Sequence, residues 1–219
     1  MAVARDAPVY AAGADTDDSF DDRRAAMPAD VLRRGRAASA FGRAVHAALQ
    51  YVDVQDPDPR RMAELCAQCA KSEGILSSSA EIEAAVARAL HSDVLGRASK
   101  ARRRWRELFV AAPIADRAVE GFVDLVFEVE TADGSTSELV VVDYKTDAVT
   151  GPAAATRAAF AYGPQLGAYA LALEHTTGRR VGECVLLFTS GSVAHEVSVT
   201  GHELAQLKQR VRQVLSEKP

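Results

Sequence analysis

Two hydrophobic runs, residues 118–130 ("AVEGFVDLVFEVE") and 137–145 ("SELVVVDYK"), face each other across a short polar stretch, "TADGST". β-Branched and aromatic residues dominate both, and the Asp133-Gly134 pair between them is a hairpin signal, although the connection is longer than the tightest turns. The chain is therefore committed to a sheet. Yet Asp124 sits among apolar residues of the first run, and the second ends in Asp143 and Lys145. Side chains alternate across a strand, so Asp143 and Lys145 share one face while Tyr144 turns to the other. Charges in such places are costly unless they are paired or put to chemical use.

The surrounding pattern predicts helices before, between and after the strands. Phe41, Val45, Ala48, Leu49 and Val52 recur at helical spacing from Ala38, until "DPDP" at residues 56–59 stops the run. A second helix is expected over residues 60–71 and a third, opened by capping serines, over 80–95. "RRRWRELFVAAPI" reads as the first strand. After a Gly-Pro loop, "PQLGAYALALEHTTG" reads as a helix with Pro164 in its first turn and Gly178 at its C-terminal end. "ECVLLFTS" and "AHEVSVT" are two further strands, and residues 202–215 form a closing helix. The expected class is α/β or α+β: a central mixed sheet flanked by helices, with a helical N-terminal region.

A chain of 219 residues suffices for one substantial core. Charged residues at 26% and hydrophobic ones at 48% fit a soluble globular protein, and no apolar run approaches the roughly 20 residues a spanning helix needs. Residues 1–35, with "GADTDDSFDD" in their midst, are expected to be a flexible acidic leader or linker, and residues 36–219 the folded domain. Arg5 and Asp6 interrupt any export signal, so the expected compartment is the cytoplasm. Three cysteines, Cys66, Cys69 and Cys184, fit a reducing environment. The net charge of -4 excludes a uniformly basic nucleic-acid coat but leaves room for a local basic groove.

An acid and an ammonium two residues apart on one strand face, with a second acid on the neighbouring strand, can share a site. Magnesium suits it, taking hard oxygens from one or two carboxylates and keeping waters and substrate phosphate oxygens around it. The lysine can then hold the attacking water and offset charge growing on a phosphate. The same residues also admit a structural reading, a salt bridge at a strand end with Asp124 on a solvated face.

The ordered set "FGRAVHAAL", "GFVDLVFE", "VVVDYKTD" and "YGPQLGAYALAL" resembles the RecB-type nucleases of the PD-(D/E)XK superfamily, from about Phe41 to beyond Tyr169. Asp124 and Asp143 lie 19 residues apart, and Gly42, Gly121 and Thr146 match as well. The resemblance implies a restriction-endonuclease-like core and a metal-dependent DNA nuclease, an exonuclease of repair or recombination. It implies metal ligation by His46, Asp124, Asp143 and the backbone carbonyl of Tyr144, with Glu107 in "WRELF" acting through water. Lys145 is the implied catalytic lysine, and Gln165 and Tyr169, one helical turn apart, face the site and the DNA backbone. The implied ion is Mg2+, with Mn2+ able to substitute.

Further implied partners are DNA and a superfamily 1 helicase, in cis or in trans, with no membrane. Arg102, Arg103, Arg104 and Trp105 in "KARRRWRE" are candidates for phosphate tracking and base stacking, or else the solvated end of a helix. Cys66 and Cys69 form C-x-x-C, but with Cys184 the only further cysteine no four-thiolate iron-sulfur cluster can be completed. No Walker-type phosphate loop is present. Two alternatives stand beside the nuclease: a DNA-binding or assembly module without turnover, and a hydrolase of small phosphate metabolites.

Overall fold

The computed structural model describes residues 39–217 except 116, 132, 133 and 135; the expected acidic leader and Asp133 lie outside the described residues. Among the described residues four α-helices come first: α1 (Ala40–Tyr51), α2 (Pro59–Ser72), α3 (Ser79–Leu90) and α4 (Asp93–Lys100). Strands β1 (Arg104–Ile114), β2 (Arg117–Glu130) and β3 (Ser137–Ala148) follow. Then come α5 (Pro152–Ala159), α6 (Gly163–Thr177), β4 (Val181–Ser190), β5 (His195–Thr200) and α7 (Gly201–Ser216).

Three expectations are corrected. Residues 80–95 are two helices, because the Ser92 hydroxyl accepts from the Leu95 N–H and starts a new helix there. The Gly-Pro loop contains α5, opened by Gly151 at φ +114 and Pro152 in the first turn. "DPDP" does not stop α1, which has already ended at Tyr51; Asp58 caps α2 instead, accepting from Arg61 N–H at 2.9 Å, with Pro59 as its first residue.

The sheet runs β1-β2-β3-β4-β5, with β3 and β4 parallel and the other neighbours antiparallel. A parallel pair needs a crossover, which α5 and α6 supply. Val140, Val142 and Tyr144 of β3 point into a core made with α1 to α4, while Leu139 and Val141 point into a second core made with α6 and α7. Helix α6 is buried on nearly its whole circumference between the sheet and α7, and its composition is correspondingly apolar all round. Gly167 permits that sandwich: a Cβ there would lie 2.9 Å from Val211 and 3.1 Å from the Leu207 carbonyl oxygen.

Two irregularities shape the centre. Glu107 takes φ +48, which costs a non-glycine residue about 1–2 kcal/mol, and it stands opposite Asp124 between the pairs Arg106↔Leu125 and Leu108↔Val123. Both strands reverse their alternation at that step. Trp105 and Leu108 pack against the α6 side while Arg106 reaches α1, and Val123 and Val126 face one core while Leu125 and Phe127 face the other. In addition, β2 pairs with β3 only from Leu125↔Val142 to Glu130↔Ser137. From Asp124 backward the two strands part, and β1 and β2 continue as a two-stranded arm.

Candidate active site

The parting of β2 and β3 leaves backbone groups of β3 without a strand partner, and Asp124 fills the gap. Its Oδ2 accepts from the Tyr144 N–H at 2.6 Å, in place of a ladder bond. Its Oδ1 lies 3.2 Å from Nδ1 of His46, which α1 brings in over the α1–α4 face. His46 also meets the Tyr144 ring edge-on, at 5.9 Å between centroids. The Tyr144 side chain is thus turned away from Lys145, as the alternation predicts.

Asp143 and Lys145 emerge on the opposite face, beneath α6, and both are deeply buried at 3% and 5% exposure. Their charged atoms are 2.5 Å apart. Burial pushes the Asp143 carboxyl above its ordinary range, against the pull of the Lys145 ammonium. Lys145 donates to Oε1 of Gln165 at 3.1 Å, and Gln165 Nε2 donates to the Tyr169 hydroxyl at 3.0 Å. That chain fixes which way the Gln165 amide points. Burial raises the Tyr169 phenol too, with the Asp143 charge adding to it, so Tyr169 stays a neutral hydroxyl.

Acids and imidazole collect in the gap. One donor atom each from His46, Glu107 and Asp124 lie within 4.8 Å of one another. Burial works to lower the His46 pKa, but the Asp124 carboxylate outweighs it, with Asp143 assisting, and the imidazole is pushed up to about 9. On the far side of the gap, the buried Asp143 Oδ2 is held by the Lys145 ammonium at 2.5 Å, a charge-assisted contact. A cluster of carboxylate oxygens and one imidazole nitrogen within 4.8 Å of one another fits a small divalent cation.

The sequence expectations fall out unevenly. His46, Asp124, Asp143, Lys145, Gln165 and Tyr169 are gathered around one gap, from both faces of the sheet. Glu107, expected as a ligand through water, is brought beside His46 and Asp124. Of the basic run, Arg102, Arg103, Arg104 and Trp105 line a shallow depression with Gln55 and Ala101, of about 650 Å³. Arg102 and Arg103 are exposed, Arg104 turns toward carbonyls at the end of α4, and Trp105 is half-buried against the α6-side core. Cys66 and Cys69 lie in the α1–α4 core and Cys184 in the other, on opposite faces of the sheet.

One neighbour of the site escapes a reading of the sequence. Tyr162 lays its ring over the Lys145 ammonium, 4.1 Å from Nζ to the ring centroid, and donates its hydroxyl to Asp147 at 2.9 Å. Its signal is the spacing: Tyr162 precedes Gln165 by one helical turn, on the stripe that Gln165 and Tyr169 define.

Comparison with known proteins bears on this geometry. The model of the PD-(D/E)XK nuclease superfamily matches residues 22–218. A subunit of the ATP-dependent helicase/nuclease of Desulforudis audaxviator (strain MP104C) is 34% identical over 177 residues, covering 73% of this chain. The match spans only 14% of that much longer relative. Among solved structures, the crystal structure of SSO0001 aligns over 80% of this chain and 76% of its own, at 11% identity and a TM-score of 0.32.

Proposed function

The chain belongs to the PD-(D/E)XK nuclease superfamily, and from that premise we propose that it hydrolyses DNA phosphodiester bonds with a divalent ion, Mg2+ or in its place Mn2+, as an exonuclease of repair or recombination. One observation carries the reading: the gap between β2 and β3 is lined by His46, Glu107, Asp124 and Asp143, with Lys145 directly beside them. A bound ion supplies Lewis acidity toward a phosphate oxygen and acidifies a coordinated water. His46, Asp124, Asp143 and the Tyr144 carbonyl hold that ion, and Glu107 joins them directly or through water.

The chain's own residues do the rest. Lys145 keeps its ammonium beside Asp143, orients the attacking water and balances the charge that grows on the phosphate. Gln165 holds Lys145 in that pose and is itself held by Tyr169, whose neutral hydroxyl is a donor for a phosphate oxygen of the bound strand. Arg102 and Arg103, exposed at the rim of the depression beside β1, attract the phosphate backbone, with Arg104 and Trp105 forming its floor. The similarity to part of a helicase/nuclease supports a partnership with a helicase, in cis or in trans, that delivers the strand.

The test is cleavage of end-labelled linear DNA, single- and double-stranded, with Mg2+, Mn2+ or chelator, alongside Asp143→Ala. Metal-dependent cutting that the substitution abolishes supports the reading, and the product ladder gives the polarity. A folded protein that binds DNA but cuts under no metal is a binding module.

A further inference from the structure

We infer that Arg106 is the positioning residue that docks α1 onto β1, holding His46 beside Glu107 and Asp124 and so setting how tightly the site takes a divalent ion. This rests on the nuclease reading and assigns a further residue to its metal centre. Arg106 faces Leu125 across the β1–β2 pair, and residues opposite each other in a ladder share a face. Leu125 points into the core beneath α1, so Arg106 stands on the α1 side as well. From there its Nη1 donates to the Gln50 carbonyl at 2.8 Å.

Gln50 lies in the last turn of α1, where carbonyls have no amide partner within the helix and the helix dipole is negative. A half-buried guanidinium has given up part of its hydration, and a charge-assisted bond to such a carbonyl restores it. The Asp53 carboxylate, in the turn after α1, lies near enough to act on the same charge.

The order of residues carries the argument to the site. His46 precedes Gln50 by four residues, on the same stripe of α1 and one turn of about 5.4 Å away. Glu107 is the next residue after Arg106. One step of β1 thus grips the helix that brings the imidazole and supplies a carboxylate to meet it. Apolar packing on Leu125, Val142 and Tyr144 is non-directional and holds α1 at its height over the sheet. A hydrogen bond to one carbonyl fixes where along the sheet the helix stops. The difference matters because donor atoms must keep their distances from an ion to within about 0.2 Å. Two donors on adjacent corners of an octahedron about 2.1 Å in radius stand about 3 Å apart. His46 Nδ1 and Asp124 Oδ1, at 3.2 Å, are already so placed. A slide of α1 by about 1 Å forfeits that spacing.

The test titrates the full chain with Mn2+ by calorimetry, as wild type, Arg106→Met, His46→Ala and the double variant Arg106→Met/His46→Ala. Methionine keeps the apolar stem and removes the donors. Arg106→Met is expected to bind the ion about tenfold more weakly than the wild type, and Arg106→Lys, which restores a charged donor, to recover most of the loss. In the His46→Ala background the same change should cost nothing further, because the imidazole it positions is gone. The carboxylates alone still hold the ion, so the titrations extend to millimolar Mn2+. In the metal-free chain the nuclear Overhauser contact between the His46 and Tyr144 rings should weaken in Arg106→Met. Equal losses in both backgrounds mark a general loosening and overturn the assignment. Unchanged affinity in Arg106→Met or in His46→Ala, or an unchanged ring contact, overturns it too, and each of these results leaves the nuclease reading in place. A wild type that binds no Mn2+ fails the nuclease reading and this inference together. Should Arg106→Met not fold, Arg106→Gln, a donor too short to reach the carbonyl, carries the same cycle.

Discussion

At the residue scale the site is an arrangement of charges that oppose one another. In the metal-free chain His46 is protonated well above its ordinary range because Asp124 and Asp143 are close. An ion taking the same imidazole must expel that proton, so ion affinity is expected to rise with pH up to about 9, with roughly one proton released per ion near neutrality. Calorimetry in buffers of different ionisation enthalpy reads both quantities. Stability of the metal-free chain moves the other way. The raised His46 pKa stabilises the fold fully below about 6.5, and the contribution is lost as pH climbs through about 9. The melting temperature of the metal-free wild type should fall across that window more than that of His46→Ala. Lys145→Ala should retain ion binding and lose cleavage by at least 100-fold, about 3 kcal/mol of transition-state stabilisation. Tyr162→Leu, which removes the ring over the ammonium, should lower kcat with little change in KM, and Tyr162→Phe should restore it; equal kinetics for both would detach Tyr162 from Lys145.

At the scale of elements, Gly167 sets how closely α7 can lie on α6. Gly167→Ala gains about 1 kcal/mol of helix propensity but drives a methyl into Val211 and the backbone of α7, at a cost of about 1–3 kcal/mol. A net loss of about 1 kcal/mol should appear as a melting temperature lower by about 2–4 °C. The elements themselves are legible in the sequence to different degrees, for physical reasons. Residues 137–145 announce a strand because Val140 to Val142 and the flanking turn leave little choice. The break at Ser92 is hidden because Val94 and Leu95 continue the apolar period of the preceding helix, so only the capping hydroxyl marks the boundary. Helix α5, "PAAATRAA", lacks the apolar contrast that periodicity needs. The site residues on one strand or one helix face, Asp143 with Lys145 and Gln165 with Tyr169, are recognisable by spacing. The company of His46 with Glu107 is not, because it depends on the φ of Glu107 and on how α1 crosses the sheet.

At the scale of the whole molecule, a protein of net charge -4 must attract a polyanion through local fields. Arg102 and Arg103 at the depression beside β1 are the exposed part of the basic run. If they neutralise phosphates, Arg102→Ala and Arg103→Ala should each lessen the slope of log affinity against log salt by about 0.7 on single strands. An unchanged slope would show that the strand runs elsewhere.

The parting of β2 from β3 has a consequence for anyone who improves or selects this protein by its robustness. The proposed chemistry occupies a place where the sheet has been left unzipped and an ion pair, Asp143 with Lys145, is buried. Replacing both by apolar residues of similar size, as in Asp143→Leu/Lys145→Met, removes the cost of desolvating two charges, and the variant is expected to melt at or above the metal-free wild type. Screens for thermal tolerance or yield would then enrich chains that have lost the reaction. For this fold, good behaviour in the tube is a reason to assay activity and no substitute for it.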